Sequence, residues 1–124
     1  MSPLKTRIDR TTCSPKPALG SRTLLTLEQA AGLERVFKVL ANDSRIRLLH
    51  ALARSGELCV SDLAQQLGMT QQAVSNQLRK LLDVGILGSR REGLFIYYRI
   101  VDPCATSLLD QGLCLVEDAR RATA

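Results

Sequence analysis

Between Leu58 and Arg99 a single glycine, Gly68, separates two stretches of helical spacing, and a run alternating at period two follows them. The first stretch is Val60-Ser-Asp-Leu-Ala-Gln-Gln-Leu-Gly68, and the second runs from Thr70 through Leu82. In the second, Val74, Leu78, Leu81 and Leu82 recur at steps of three and four and so share one helical face. Gln71, Gln72, Ser75, Asn76 and Arg79 fall largely on the other face, with Gln77 and Lys80 beside them. From Ile86 to Ile100 the chain then reads as a β-hairpin: Ile96, Tyr98 and Ile100 share a face, and Glu92-Gly93 supplies the turn. Two helices joined at a glycine and followed by a basic hairpin predict a mainly α fold with a β-hairpin wing (α+β), a winged helix-turn-helix. Such a module lays its second helix in the major groove of double-stranded DNA and rests its hairpin on the backbone.

The polar face of the second helix suits that task. Amides pair bidentately with adenine, and arginine pairs with guanine or phosphate. The candidate DNA contacts are Gln71, Gln72, Ser75, Asn76, Gln77, Arg79 and Lys80 on the helix, with Arg90 and Arg91 near the hairpin tip for phosphates. Tyr97 and Tyr98 are expected to pack, because duplex recognition does not expose base faces. The net charge of +5 fits an anionic partner, and its distribution sharpens the point. From Thr70 to Val101 the bases Arg79, Lys80, Arg90, Arg91 and Arg99 outnumber the acids Asp83 and Glu92, whereas Asp102 to Asp118 carries four acids and no base.

With 124 residues the chain holds one core and leaves no room for a separate catalytic domain. No apolar run approaches the roughly 20 residues of a membrane span, and the basic N-terminus has no apolar segment of the signal-peptide kind, so the expectation is a cytoplasmic protein without a membrane partner. An enzyme is not expected: the single His50 lies within a helical repeat, and there is no Gly-rich phosphate loop or metal-hydrolase spacing. In a reducing compartment the four cysteines point to metal binding or redox sensing rather than a disulfide framework.

Residues 1–24 carry Pro3, Pro15, Pro17, Gly20 and five bases without apolar periodicity, and read as a basic tail containing Cys13. The DNA-binding and dimerisation domain is expected over residues 25–120. Thr26 with Gln29 makes a capping box for a first helix, whose stripe is Leu27, Ala30, Ala31, Leu33, Phe37 and Leu40. Asn42 caps a second helix to Arg54, with Ile46, Leu49 and Leu52 facing inward and Ser55-Gly56 ending it. A last helix starts with Asp102 as N-cap and Pro103 in the first position, and carries the stripe Ala105, Leu108, Leu109, Gly112, Leu113 and Val116. The first and last helices together suit a homodimer seam, since DNA readers of this type bind two half-sites through a twofold axis.

Four segments, taken jointly, resemble the ArsR/SmtB family of metal-responsive repressors: Leu40 to Leu49, Glu57 to Ala64, Ala73 to Arg79, and Gly93 to Tyr98. The resemblance covers about residues 26–118. It implies a homodimeric repressor that blocks a promoter, here of a metal-resistance operon, and releases operator DNA when an effector binds. The family's thiolate motif, Glu-Leu-Cys-Val-Cys-Asp-Leu, is kept at Cys59, but Ser61 stands where its second cysteine would be. Of the family's site on the terminal helix, Asp102 is retained, Cys104 stands where a histidine is expected, and Cys114 lies one position short of the next ligand.

Sulfur in place of imidazole selects soft ions. Mercury(II) is the favoured inducer, with arsenite, cadmium and lead as rivals, and a thiol redox switch as the alternative sensing chemistry. Ten residues of helix separate Cys104 from Cys114 by about 15 Å, too far to share a small ion within one chain. In an antiparallel pair of terminal helices, Cys104 of one subunit would approach Cys114 of the other, with Asp102, Glu117 or Asp118 as oxygen ligands. The competing site joins Cys13 of the tail to Cys59 beside the reading head.

Overall fold

The computed structural model of the chain describes residues 15–123, and side chains as far as Arg120. A 3-10 turn at Leu19–Ser21 precedes five helices and three strands. They are α1 (Leu27–Leu40), α2 (Asp43–Ser55), β1 (Leu58–Cys59), α3 (Val60–Leu67), α4 (Gln71–Asp83), β2 (Leu87–Glu92), β3 (Phe95–Ile100) and α5 (Pro103–Thr123). The expected basic tail lies outside the described residues up to position 14, and Cys13 with it.

Local chemistry sets the helix starts. Thr26 and Gln29 form the reciprocal capping box, the Thr26 hydroxyl accepting from the Gln29 N–H at 3.1 Å and the Gln29 carbonyl oxygen from the Thr26 N–H at 2.9 Å. Asn42 and Thr70 accept from Arg45 N–H (3.0 Å) and Ala73 N–H (3.1 Å), opening α2 and α4. Asp102 accepts from the Cys104 N–H at 3.0 Å, with Pro103 opening α5 as the sequence predicts. Between α3 and α4, Gly68 adopts φ +66°, ψ +36°, a left-handed conformation that ends α3 and turns the chain into the next helix.

The core lies between α2, α3, α4 and the foot of the wing. Leu48, Leu49, Leu52, Leu63, Val74, Leu78 and Leu81 are fully buried. On α4 the buried residues are Val74, Leu78 and Leu81, three of the four assigned to its apolar face, while Leu82 packs partly buried against them. Burying each leucine contributes roughly 1.5–3 kcal/mol, so these seven residues fix the relative placement of the two helices of the turn.

One inward assignment is corrected. Ile46 is 40% exposed, and the buried face of α2 is Arg45, Leu48, Leu49 and Leu52, with Ala51 at its edge. That face steps 45, 48, 49, 52, which leaves position 46 about 100° around the helix from its first member. An arginine takes the inward place because oxygen acceptors are waiting for it.

The wing is part of a three-stranded antiparallel sheet of order β1-β3-β2, not a bare hairpin. Two residues of β1 pair with β3, Leu58 opposite Tyr98 and Cys59 opposite Tyr97. β2 and β3 pair from Leu87 opposite Ile100 to Glu92 opposite Phe95, closed by a turn in which Gly93 takes φ +63°. Tyr98 and Ile100 pack against the core.

Two apolar faces are left open. On α1 only Leu40 is buried, while Leu27, Leu33 and Phe37 are 91%, 44% and 48% exposed. On α5 Ala105 is buried, Leu108 and Leu109 are half-buried, and Leu113, Leu115 and Val116 are exposed. Among the described residues no helix is long and apolar enough to cross a membrane.

Candidate nucleic-acid interface and thiol positions

The outer side of α4 carries Gln71, Gln72, Asn76, Arg79 and Lys80, all exposed, with Ser75 half-buried at its margin. The Gln72 amide donates to the Asn76 carbonyl oxygen at 3.1 Å, one helical turn on, so two candidate reading amides hold each other in place. This surface is a polar and cationic ridge on a helix anchored from behind by Val74, Leu78 and Leu81.

Gln77 departs from that group. It is half-buried, and its carbonyl oxygen accepts from Arg45 Nη1 at 2.8 Å, across the interface between α2 and α4. The sequence groups Gln77 with the reading residues; the structure turns it toward the interior.

The two wing arginines also differ. Arg91 is exposed on β2. Arg90 is tied down: its Nε donates to both Glu57 oxygens at 3.0 Å, its Nη2 lies 2.9 Å from Glu57 Oε1, and its Nη1 lies 2.7 Å from Glu92. Its guanidinium sits 5.0 Å from the centre of the Tyr97 ring, the residue paired with it across the strands. Arg99 reaches the same Glu57 at 3.9 Å. The Arg90 hydrogen bond, reinforced by the charges of Arg90 and Arg99, holds the Glu57 carboxyl below its ordinary value, and the two carboxylates raise Arg90. The sequence marks Glu57 only as part of a resembling segment and does not show this contact, because its partner lies 33 positions away. Tyr97 packs as expected, with a cation on its face.

The three cysteines among the described residues occupy different environments. Cys59 is a buried free thiol, 6% exposed, its sulfur 3.2 Å from Ser61 Oγ, so the residue standing in the place of a second thiol is its hydrogen-bond partner. Cys114 is an exposed free thiol on α5, 3.8 Å from Asp118 Oδ2. Glu117 stands on the same face of the helix, three residues on. Cys104 is exposed and disulfide-bonded. Asp102 is occupied in capping α5. Among the described residues no three His, Cys, Asp or Glu side chains converge on a metal-sized site. His50 is exposed on α2.

A buried helix-turn-helix with a cationic outer face and a flanking sheet defines a winged helix-turn-helix protein. Residues 42–89 match the family described as "Bacterial regulatory protein, arsR family". The crystal structure of the AntR antimony-specific transcriptional repressor is 57% identical, with 89% of this chain and 99% of that one covered and a TM-score of 0.75. The arsenic resistance transcriptional regulator ArsR1 of Pseudomonas putida is 46% identical over 65 residues, 52% of this chain and 51% of that protein. A solution structure of a homodimeric winged helix-turn-helix DNA-binding domain from Mycobacterium bovis is 30% identical, covering 78% of this chain and 92% of that one at a TM-score of 0.66. This chain belongs to the ArsR family of bacterial regulatory proteins, a family of DNA-binding transcriptional regulators. The matched segment spans 51% of ArsR1 and 59% of the Synechocystis SmtB homolog, about half the length of the curated relatives it matches first.

Proposed function

We propose that this chain is a homodimeric transcriptional repressor that binds operator DNA through α4 and the wing and releases it when trivalent antimony or arsenic binds thiolates on α5. The observation carrying this reading is the 57% identity, over 89% of the chain, with an antimony-specific repressor. The sequence favours mercury(II) because two sulfurs without imidazole suit a linear ion. Two of the relatives reported above are named for antimony and arsenic instead, and both are soft centres that thiolates select.

The exposed helix face offers Gln71, Gln72, Ser75, Asn76 and Arg79 to base edges, and Lys80, Arg79 and Arg91 to phosphates. The thiol set suited to the effector is Cys104 and Cys114, with Asp102, Glu117 or Asp118 as oxygen donors and Cys13 as a further sulfur. One helix holds Cys104 and Cys114 about 15 Å apart, so a site containing both needs a second copy of the chain. Cys59 fits less well, being buried and hydrogen-bonded to Ser61. The open apolar faces of α1 and α5 support dimerisation, as does the homodimer of the Mycobacterium bovis domain. A 100-fold loss of operator affinity asks only about 2.7 kcal/mol of coupling from the effector.

The test is a titration of the fully reduced dimer, bound to a duplex from its own promoter, with antimonite, arsenite, mercury(II), cadmium and lead in parallel. Antimonite or arsenite should release the duplex at the lowest concentration, and the paired changes Cys104→Ser and Cys114→Ser should abolish release while sparing DNA binding. Release by mercury(II) alone, or release unaffected by those changes, would refute the effector and its site respectively.

A second reading keeps the same repressor but makes thiol oxidation itself the signal, and the exposed thiol of Cys114 favours it. Peroxide without metal would then dissociate the complex, and dithiothreitol would restore it.

A further inference from the structure

Arg45 is 8% exposed, and among the described residues no carboxylate pairs with it. Burying a cation without an anion is costly unless its donors are met. Here neutral oxygens of two different helices meet one donor on each guanidinium nitrogen, three of the five N–H groups. Nε donates to the Val39 carbonyl and Nη2 to the Lys38 carbonyl at 3.4 Å, both in the last turn of α1, while Nη1 donates to Gln77 of α4 at 2.8 Å. The last carbonyls of a helix carry its negative dipole end, which is why a lone guanidinium is tolerated there. One side chain on α2 therefore joins the end of α1, whose apolar face is uncovered, to the middle of the helix that carries the candidate reading residues.

We propose that the Arg45–Gln77 contact is the joint that sets the orientation of α4 against α1, and that Gln77 is a positioning residue rather than a base reader. The proposal rests on the DNA-binding reading above and assigns Gln77 a different part in it. α4 is held by a non-directional apolar face of three buried residues, and a directional, charge-assisted hydrogen bond at position 77 adds a constraint on its rotation. Position 76, one residue along, belongs to the reading face, so a small roll about the helix axis displaces every base-facing side chain together. Because the same guanidinium holds α1, movement at an α1 seam reaches α4 through this contact.

Three substitutions at position 77 separate the two roles. Gln77→Leu removes the acceptor and should lower affinity for the chain's own promoter duplex about tenfold, equivalent to about 1.4 kcal/mol. It should also shrink the ratio of affinities measured without and with antimonite, while antimonite binding to the free protein stays unchanged. Gln77→Glu keeps an acceptor for Arg45 and should hold promoter affinity within about threefold of the parent chain. A direct reader would behave in the opposite way, since a carboxylate facing DNA is worse than a leucine. Gln77→Asn withdraws the acceptor by one methylene without adding apolar surface, and should repeat the leucine result if the leucine variant does not fold. Hydrogen exchange supplies a readout free of DNA: residues 71–83 should exchange faster in Gln77→Asn than in the parent, with residues 48–52 unchanged. Equal promoter affinity and equal exchange in Gln77→Asn, or a glutamate variant as impaired as the leucine one, overturns the proposal. If the parent chain binds no promoter DNA, the proposed function fails, and the exchange comparison alone decides whether the joint exists.

Discussion

Glu57 stands just before β1 and draws Arg90 of β2 and Arg99 of β3 onto one carboxylate. Both belong to the basic excess of residues 70–101, and the sequence assigns Arg90 to phosphate contact, so in the free protein part of that charge is already paired. Replacing Glu57 with Gln should release them. Each arginine that then reaches a phosphate should steepen the dependence of log affinity on log salt by about 0.9, which fluorescence anisotropy across a salt series measures on any duplex. An unchanged slope would mean that Arg90 remains on Tyr97 without its anion. The same cluster makes a pH prediction. The Glu57 carboxyl is lowered from 4.5, first by its hydrogen bond from Arg90. A depressed acid stabilises the fold above its unfolded value and ceases to do so as the pH falls through its folded one. The Arg90 contact should therefore be intact at neutral pH and melt only below 4.5, and carbon-detected titration of the Glu57 carboxyl should give a midpoint beneath that value.

Elements built from nearby residues are legible in the chain alone. The capping box of α1, the Asn42 cap, the proline start of α5 and the apolar face of α4 all rest on spacings of two to four, which leave a periodic trace. The third strand left none: β1 is two residues long and exists only because Leu58 and Cys59 meet Tyr98 and Tyr97. Arg45–Gln77 and Glu57–Arg90 were equally hidden, being 32 and 33 positions apart. The inward place of Arg45 was half-visible, since it steps in phase with Leu48, Leu49 and Leu52, but an arginine there invites assignment to the surface. Of the candidate site, the outer face of α4 was legible as a pattern, while the partners of Gln77, Arg90 and Cys59 were not. At this scale the turn between α3 and α4 makes the firmest prediction. Gly68 sits at φ +66° with open space where a Cβ would go, so Gly68→Ala meets only the backbone penalty. That penalty is about 1–2 kcal/mol, and denaturant unfolding should show it as a lower midpoint with an unchanged slope.

At the scale of the whole molecule, charge divides between elements. The cationic face of α4 and Arg91 carry exposed bases, whereas Asp110, Glu117 and Asp118 lie along α5 with Asp102 at its cap. The protomer leaves the apolar faces of α1 and α5 open, with Phe37 48% and Leu113 57% exposed. Because neither side chain belongs to the buried core, a charge at either position should leave the protomer folded and act only on association. Phe37→Glu and Leu113→Glu should each sediment as monomers at concentrations where the parent chain sediments as a dimer, with unchanged helical circular dichroism. Their affinity for a promoter duplex carrying two half-sites should fall by about 10²- to 10⁴-fold, the factor by which tethering the second reading head raises avidity. For a duplex carrying a single half-site the loss should be slight, since one α4 still docks. Monomeric variants that keep full affinity for the two-site duplex would show that each protomer reads DNA independently, and effector binding between subunits would then have no seam through which to act.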